Sequence, residues 1–431
     1  MRSIFLYEWN HLKHSSFKWI SIILFLFAAL YGLHNGKNLY EEQSAEIERI
    51  EAKNQQERVD NLASFSKDSD GGRLSQPYLA IWFSHIYHYK KPSPALVYSI
   101  GQAEQFGYYK RVNIRASPYD EDMTNEIANP ERLQVGMLDF TFVVLFLLPI
   151  VLLILVYDIK SIEVERGYLP LIRIQVGSLF SWILGRTLFY YVLLILLIIA
   201  LLIYGAVLTD VLISDSMAFW NMLFYSFLYL SFWTLLYLVI LYFGKSVMGN
   251  TLSMISIWIV FVFIIPAAVH QYIGIRKPVN LMTGMIDVRD MKNDLYELED
   301  SILRKQLFVL FPELKSSVTA KTDDQSFISK NLDYYAISNE LMKNSLAPIK
   351  AESNEKNEMI SSTYWFNPLT YFSNKLNRIS ETHYQDYEIY RNEIQLLVDK
   401  HIKRTILDTW NKVKVDQHQY EKYTIELSKI K

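Results

Sequence analysis

The chain has no cysteine among its 431 residues, so disulfides and thiolate metal sites are excluded, and any domain in an oxidising compartment must hold without cross-links. Common catalytic motifs are missing too: no HExxH, GxSxG or GxGxxG occurs. Gly244-Lys245-Ser246 ends like a phosphate loop, but Val239 stands where the first glycine is needed, which excludes nucleotide hydrolysis by that route. Charge of one sign is not in excess either. The formal net charge is −2, and neither long polar segment presents a basic face for nucleic acid. His85 and His88 are three apart with no acidic or cysteine partner nearby, so they read as packed or solvated rather than as metal ligands. Asp120, Glu121 and Asp122 lack the spacing of a calcium loop and read as a surface turn. No catalytic and no metal-binding set emerges.

Apolar residues are what the chain has in quantity: 51% are hydrophobic and 15% aromatic. They are clustered. Uncharged runs cover Trp19 to Leu33, Phe140 to Tyr157, Thr187 to Leu208, Ser216 to Gly244 and Ser246 to Gly274, against a need of roughly 20 residues to cross a ~30 Å hydrocarbon core. The first run is followed by no small-residue cleavage pattern and reads as an uncleaved span. Soluble core helices rarely stay uncharged over such lengths. The fold class is therefore mainly α, a polytopic membrane protein with five transmembrane helices.

Lys and Arg in short loops set the orientation. Arg2, Lys13 and Lys18 precede the first span, Lys160, Arg166 and Arg173 lie between the second and third, and Lys245 turns the fourth into the fifth, whereas the loop from Thr209 to Asp215 has two aspartates and no base. The chain then divides into an interfacial elbow helix (1–18), a first span (19–34), an extracytoplasmic segment (35–136), a second span (137–157), a cytoplasmic loop (158–178), third to fifth spans (179–274) and a second, mostly helical extracytoplasmic segment (275–431). In the elbow, Phe5, Trp9 and Leu12 share one face and Glu8, His11 and His14 the other, as in a helix lying in the interface. Asp139 and Arg186 are the charges nearest the span ends and read as anchors reaching an interface.

The loop "YDIKSIEVERGYLPLI" calls for a short helix over Asp158 to Arg166, ended by Gly167 and restarted at Pro170. Its glutamates and arginine are expected to be exposed, forming a knob through which a cytosolic partner could push on two spans at once. An ordinary interfacial loop is the plainer account of the spacing.

The stretch "NPERLQVGMLDFTFVVLFLLPIVLLILVYDIKSIEVERGYLPLI" resembles the second span and first cytosolic loop of six-span ABC exporter permeases, of the ABC-2-like class, that carry a large extracytoplasmic insertion. The resemblance rests on Asn129, Pro130, Gly136, Asp139, Phe142, Val143, Leu148, Pro149, Ser161, Glu163, Glu165 and Gly167. "PSPALVYSIGQAEQFGYYKRV" and "FNPLTYFSNKLNRISETHYQDYEIYRNEI" resemble parts of that insertion, with Glu104 where the family has Asp. The family's sixth span is absent. The resemblance implies a permease subunit that pairs with a second half, as homo- or heterodimer, in a bacterial cytoplasmic membrane, amino terminus inside. It implies no directly bound cofactor, with ATP and magnesium held by separate cytosolic ATPase subunits. Residues 158–167 would be the coupling helix, with Ser161, Glu163, Glu165, Arg166 and Gly167 at the ATPase contact. A membrane-anchored sensor or scaffold binding a periplasmic or surface partner is the alternative. The final "DQHQYEKYTIELSKIK" is a helix former without a stop, so Lys431 is expected near the outer membrane surface, with a further apolar span after it.

Overall fold

The computed structural model describes residues 2–67, 72–115, 138–277, 290–322 and 327–430. Asp120, Glu121, Asp122, Asn129, Pro130, Gly136 and Lys431 lie outside the described residues. The described chain has five helices long and apolar enough to cross a membrane. We label the elbow helix α1 (Arg2–Lys13) and the first span α2 (Ser16–Lys67). The second span, α3 (140–156), is built from Phe140–Phe142, a π-helical turn at Val143–Leu147, and Leu148–Val156. The loop after it holds α4 (Ser161–Glu165) and α5 (Leu169–Gln175). The third to fifth spans are α6 (Leu179–Thr209), α7 (Ser216–Phe243) and α8 (Val247–Arg276).

Each span after the first begins on a side-chain cap. Asp139, Ser178, Asp215 and Ser246 accept from the backbone N–H of Phe142, Ser181, Ala218 and Gly249 at 2.6, 3.4, 3.0 and 3.1 Å. Each cap satisfies one of the first-turn donors that a helix start leaves open, and such caps are typically worth about 1 kcal/mol. Pro149 removes the N–H that would bond the carbonyl of Leu145, and Tyr229 of α7 supplies a substitute, its hydroxyl donating to that oxygen at 2.6 Å.

α2 does not stop where its apolar run ends. It continues as one 52-residue helix into a polar domain, because Leu39 to Leu62 is rich in strong helix formers and has no Gly or Pro. The polar domain adds to this mast the short elements of 72–115, including the antiparallel pair β1 (Tyr87–Tyr89) and β2 (Tyr109–Arg111), and helices of which four matter below. These are α9 (Phe327–Ser362), α10 (Pro368–Ile379), α11 (Tyr384–Trp410) and α12 (Gln417–Leu427). A core around Leu307, Leu332, Ile394, Ile402 and Trp410 joins α9 and α11 to the helix Asp300–Leu310. α10 reaches back into the bundle, where its Phe372 ring lies 5.0 Å from Tyr229.

The expected place of the chain's last helix is corrected. Tyr420 of α12 accepts from the side-chain amide of Asn61 at 3.1 Å, and Tyr420, Tyr423 and Leu427 pack with Leu62 and Phe65 near the end of the mast. Asn61 lies 28 residues beyond Leu33, about 40 Å along a helix rising ~1.5 Å per residue. Residues 417–427 thus sit at the end of the domain farthest from the bundle. The amphipathic face of α12 found apolar partners there, which the local pattern could not reveal.

One buried carboxyl in the domain gives a test. Trp410 Nε1 donates to Asp333 Oδ1 at 3.1 Å, yet burial pushes Asp333 up to about 7 against the pull of that bond and of Arg304. A folded value above the unfolded one, ~3.9, means that the native state binds this proton more tightly. The resulting stability is full below the unfolded value and is lost as pH rises through about 7. Thermal unfolding of Asp333→Asn should show a flatter pH dependence from about 4 to 7 than the parent chain. Parallel pH profiles for the two proteins would refute the assignment.

Candidate functional site

The three basic loops meet at one end of the bundle, and there the chain buries an ionic network. Lys18, at the start of the first span, is 2% exposed. Its Nζ donates to the Leu155 carbonyl at 2.8 Å, to Asp158 Oδ1 at 3.0 Å and to the Tyr190 hydroxyl at 3.3 Å. Tyr190 donates in turn to Glu8 Oε2 at 2.8 Å. Arg186, one helical turn before Tyr190 on α6, is 1% exposed and clamps two carboxylates, its Nε on Glu8 and a terminal nitrogen on Glu163. His11 Nε2 lies 3.9 Å from Asp158 Oδ2. The network therefore ties α1, α2, the loop and α6 together through charges that burial makes expensive to separate.

The loop is also tied to α8. Glu165 Oε1 accepts from the backbone N–H of Val247 at 2.7 Å, at the first turn of α8. The Asn250 amide donates to Ser161 Oγ at 3.0 Å, and Lys160 Nζ bonds the Tyr242 carbonyl at the end of α7. Lys160 itself is held at φ +68°, and Gly167, at φ +75°, ends the first turn where a left-handed residue is required.

Several expected roles change. Glu163, expected exposed at an ATPase contact, is 7% exposed and faces inward, where Arg186 binds it. Glu165 is exposed but engaged with Val247. Ser161 is buried; Arg166 and Gly167 are exposed as expected. The helix anticipated over Asp158 to Arg166 is confined to Ser161–Glu165. Arg186 is 1% exposed and held by two carboxylates, and Asp139 is buried, its second oxygen accepting from the Ile100 N–H at 2.9 Å.

The elbow is rotated from its expected setting. Leu12 is buried and Phe5 packs edge-on against Phe189 at 5.5 Å, but Trp9 is exposed beneath Lys13. Glu8, expected on the wet face, is 0% exposed. Apolar periodicity placed it outside; its two partners on α6 pull it in.

Outward from the network, a cleft of ≈ 690 Å³ is lined by Tyr7, Glu163, Tyr168, Ile172, Trp182 and Arg186 among others. Glu163 Oε2 is buried without a hydrogen-bond partner among the described residues. Beyond it, Tyr168, Leu171 and Ile174 stand exposed beside Arg166 and Arg173. No family model, curated protein or solved structure matches this chain.

His85 and His88 each have an acidic partner that the local sequence does not show. They pair separately, with Glu57 and with Glu393 (3.0 Å), and no group of three ligating side chains occurs among the described residues. Sequence reading missed one pair altogether, Gly32 and Gly36. A Cβ on Gly32 would lie 2.6 Å from the Asp139 carbonyl carbon, and one on Gly36 2.5 Å from the Val97 oxygen. Their spacing is the small-xxx-small signal of close helix approach, and it could have been found.

Proposed function

We propose that the chain is the membrane-spanning permease subunit of an ATP-driven transporter, an exporter working with a second permease half. Separate cytosolic ATPase subunits bring ATP and magnesium, and act on residues 158–178. The observation that carries this reading is the way α4 is held. A five-residue helix with exposed apolar residues after it is bound by side chains to α6 and to the first turn of α8. A push on such a loop cannot be absorbed locally, since sliding α4 would strip Glu163 from a buried Arg186. The displacement passes to α1, α2, α6 and α8 together, and α2 carries it into the polar domain.

In this reading Glu163 and Ser161 are anchors, and the docking surface is Arg166, Tyr168, Leu171 and Ile174. Leu171→Asp with Ile174→Asp should abolish co-purification of the ATPase while leaving the unfolding temperature of the isolated subunit unchanged, because both residues are exposed. An ATPase that still binds this variant at parental levels and supports transport would refute the docking surface. Stable partners found only on the polar domain, with no ATPase, would instead favour a scaffold.

A further inference from the structure

A second cleft, of ≈ 700 Å³, opens at the junction of the polar domain with the bundle. The second half of α9, the exposed face of α10 and the first turn of α11 build it, and His270 of α8 lies on its bundle side. Three cations line it: Lys356 on α9, and Lys375 and Arg378 three apart on α10. The described residues pair none of the three with a carboxylate, although elsewhere in the domain Lys343, Arg391 and Arg404 are paired. Lys375 Nζ lies 5.8 Å from the Tyr371 ring centroid. Arg378 feels Asp386 electrostatically, but that carboxylate is committed to the His383 N–H at 3.0 Å. The one acid in the lining, Glu358, is exposed at the rim.

Two further lining residues, Gln102 and Gln385, have side-chain oxygens that are buried and find no donor among the described residues. Buried acceptors left this way keep their desolvation penalty and favour a donor that fills the cleft. Unpaired cations call for an anion with several oxygens. The idle acceptors call for hydroxyl donors placed away from the phosphate, which inorganic phosphate, whose only hydroxyls are its own P–OH groups, does not supply.

We propose that this cleft binds a phosphate ester bearing free hydroxyls, Lys356, Lys375 and Arg378 meeting the phosphate and Gln102 and Gln385 accepting from the hydroxyls. Two sources share that chemistry, a polyol-phosphate lipid headgroup and a soluble polyol phosphate. The setting admits both. The other face of α10 is packed into the bundle through Leu369, Phe372 and Leu376, and Trp365, just before α10, is 85% exposed, so the cleft lies where apolar helices give way to a polar domain. The inference does not depend on any ATPase.

The test uses the full chain in nanodiscs. One arm compares phosphatidylcholine discs with and without phosphatidylglycerol, reading co-purified lipid by mass spectrometry; the other titrates glycerol 3-phosphate and inorganic phosphate into protein in pure phosphatidylcholine discs. Selective retention of phosphatidylglycerol identifies a headgroup, and saturable binding of glycerol 3-phosphate a soluble ligand; each supports the site. The variant Lys356→Gln/Lys375→Gln/Arg378→Gln should bind the responding probe at least about tenfold more weakly, with an unchanged melting temperature, and Lys375→Arg should retain binding. Gln102→Leu/Gln385→Leu should reduce the preference for glycerol 3-phosphate over inorganic phosphate. Absence of binding in both arms, or equal affinity in the parent and a folded triple variant, would overturn the proposal.

Discussion

Arg186→Ala should be among the most destabilising single changes in this chain, lowering the stability of the detergent-solubilised protein by about 3–5 kcal/mol. The reason is what it leaves behind. Arg186 is 1% exposed and bridges Glu8 and Glu163, themselves 0% and 7% exposed; without it, two carboxylates remain inside the bundle, held only by the Tyr190 hydroxyl on Glu8. Removing one partner of a buried ion pair costs far more than the pair is worth, because the survivor keeps its desolvation penalty. The same logic predicts rescue. Arg186→Met combined with Glu8→Gln and Glu163→Gln should recover much of the lost stability, since neutral groups of similar volume replace the whole set. A melting temperature for Arg186→Ala equal to that of the parent, or a triple variant worse than the single one, would sink this account. Glu163→Lys should behave like Arg186→Ala, whereas Glu165→Lys, at an exposed end of the loop, should be mild.

The second large effect is steric. Gly36→Val should disturb the junction between mast and domain, because the new Cβ would meet the carbonyl oxygens of Val97 and Leu96 at 2.5 and 2.8 Å. Gly32→Val should do the same against Asp139 and Phe140, whose backbone atoms lie within 2.6 to 2.9 Å of the added carbon. In both cases the obstacle is backbone, which cannot swing aside as a flexible side chain would. Overpacking typically costs about 1–3 kcal/mol, and these contacts belong at the upper end. Gly274, around which no atom lies within 4 Å of an added Cβ, is the control: Gly274→Ala should be neutral or slightly stabilising, as glycine within a helix usually costs ~0.5–1 kcal/mol against alanine. Thermal unfolding of the three variants decides it. Equal melting temperatures for Gly36→Val and Gly274→Ala would show that α2 does not approach its neighbours so closely.

Local order alone dictates a good part of this chain. The five spans follow from uninterrupted apolar runs and the break after α4 from Gly167, because length and glycine chemistry act within a few residues. The gathering of the basic loops at one end follows from alternation alone. The partner of each charge and the destination of each amphipathic face come instead from packing between distant segments. Glu8 and Arg186 are 178 positions apart, so a helical wheel drawn on Arg2–Lys13 sees a polar residue and puts it in water. Glu163 follows the same rule: its neighbours in sequence make it look exposed, and a guanidinium on another span makes it core. The C-terminal helix shows the limit for apolar faces. Its stripe predicts that it packs, but which surface it meets, the far end of the mast rather than the membrane, depends on where α11 delivers it.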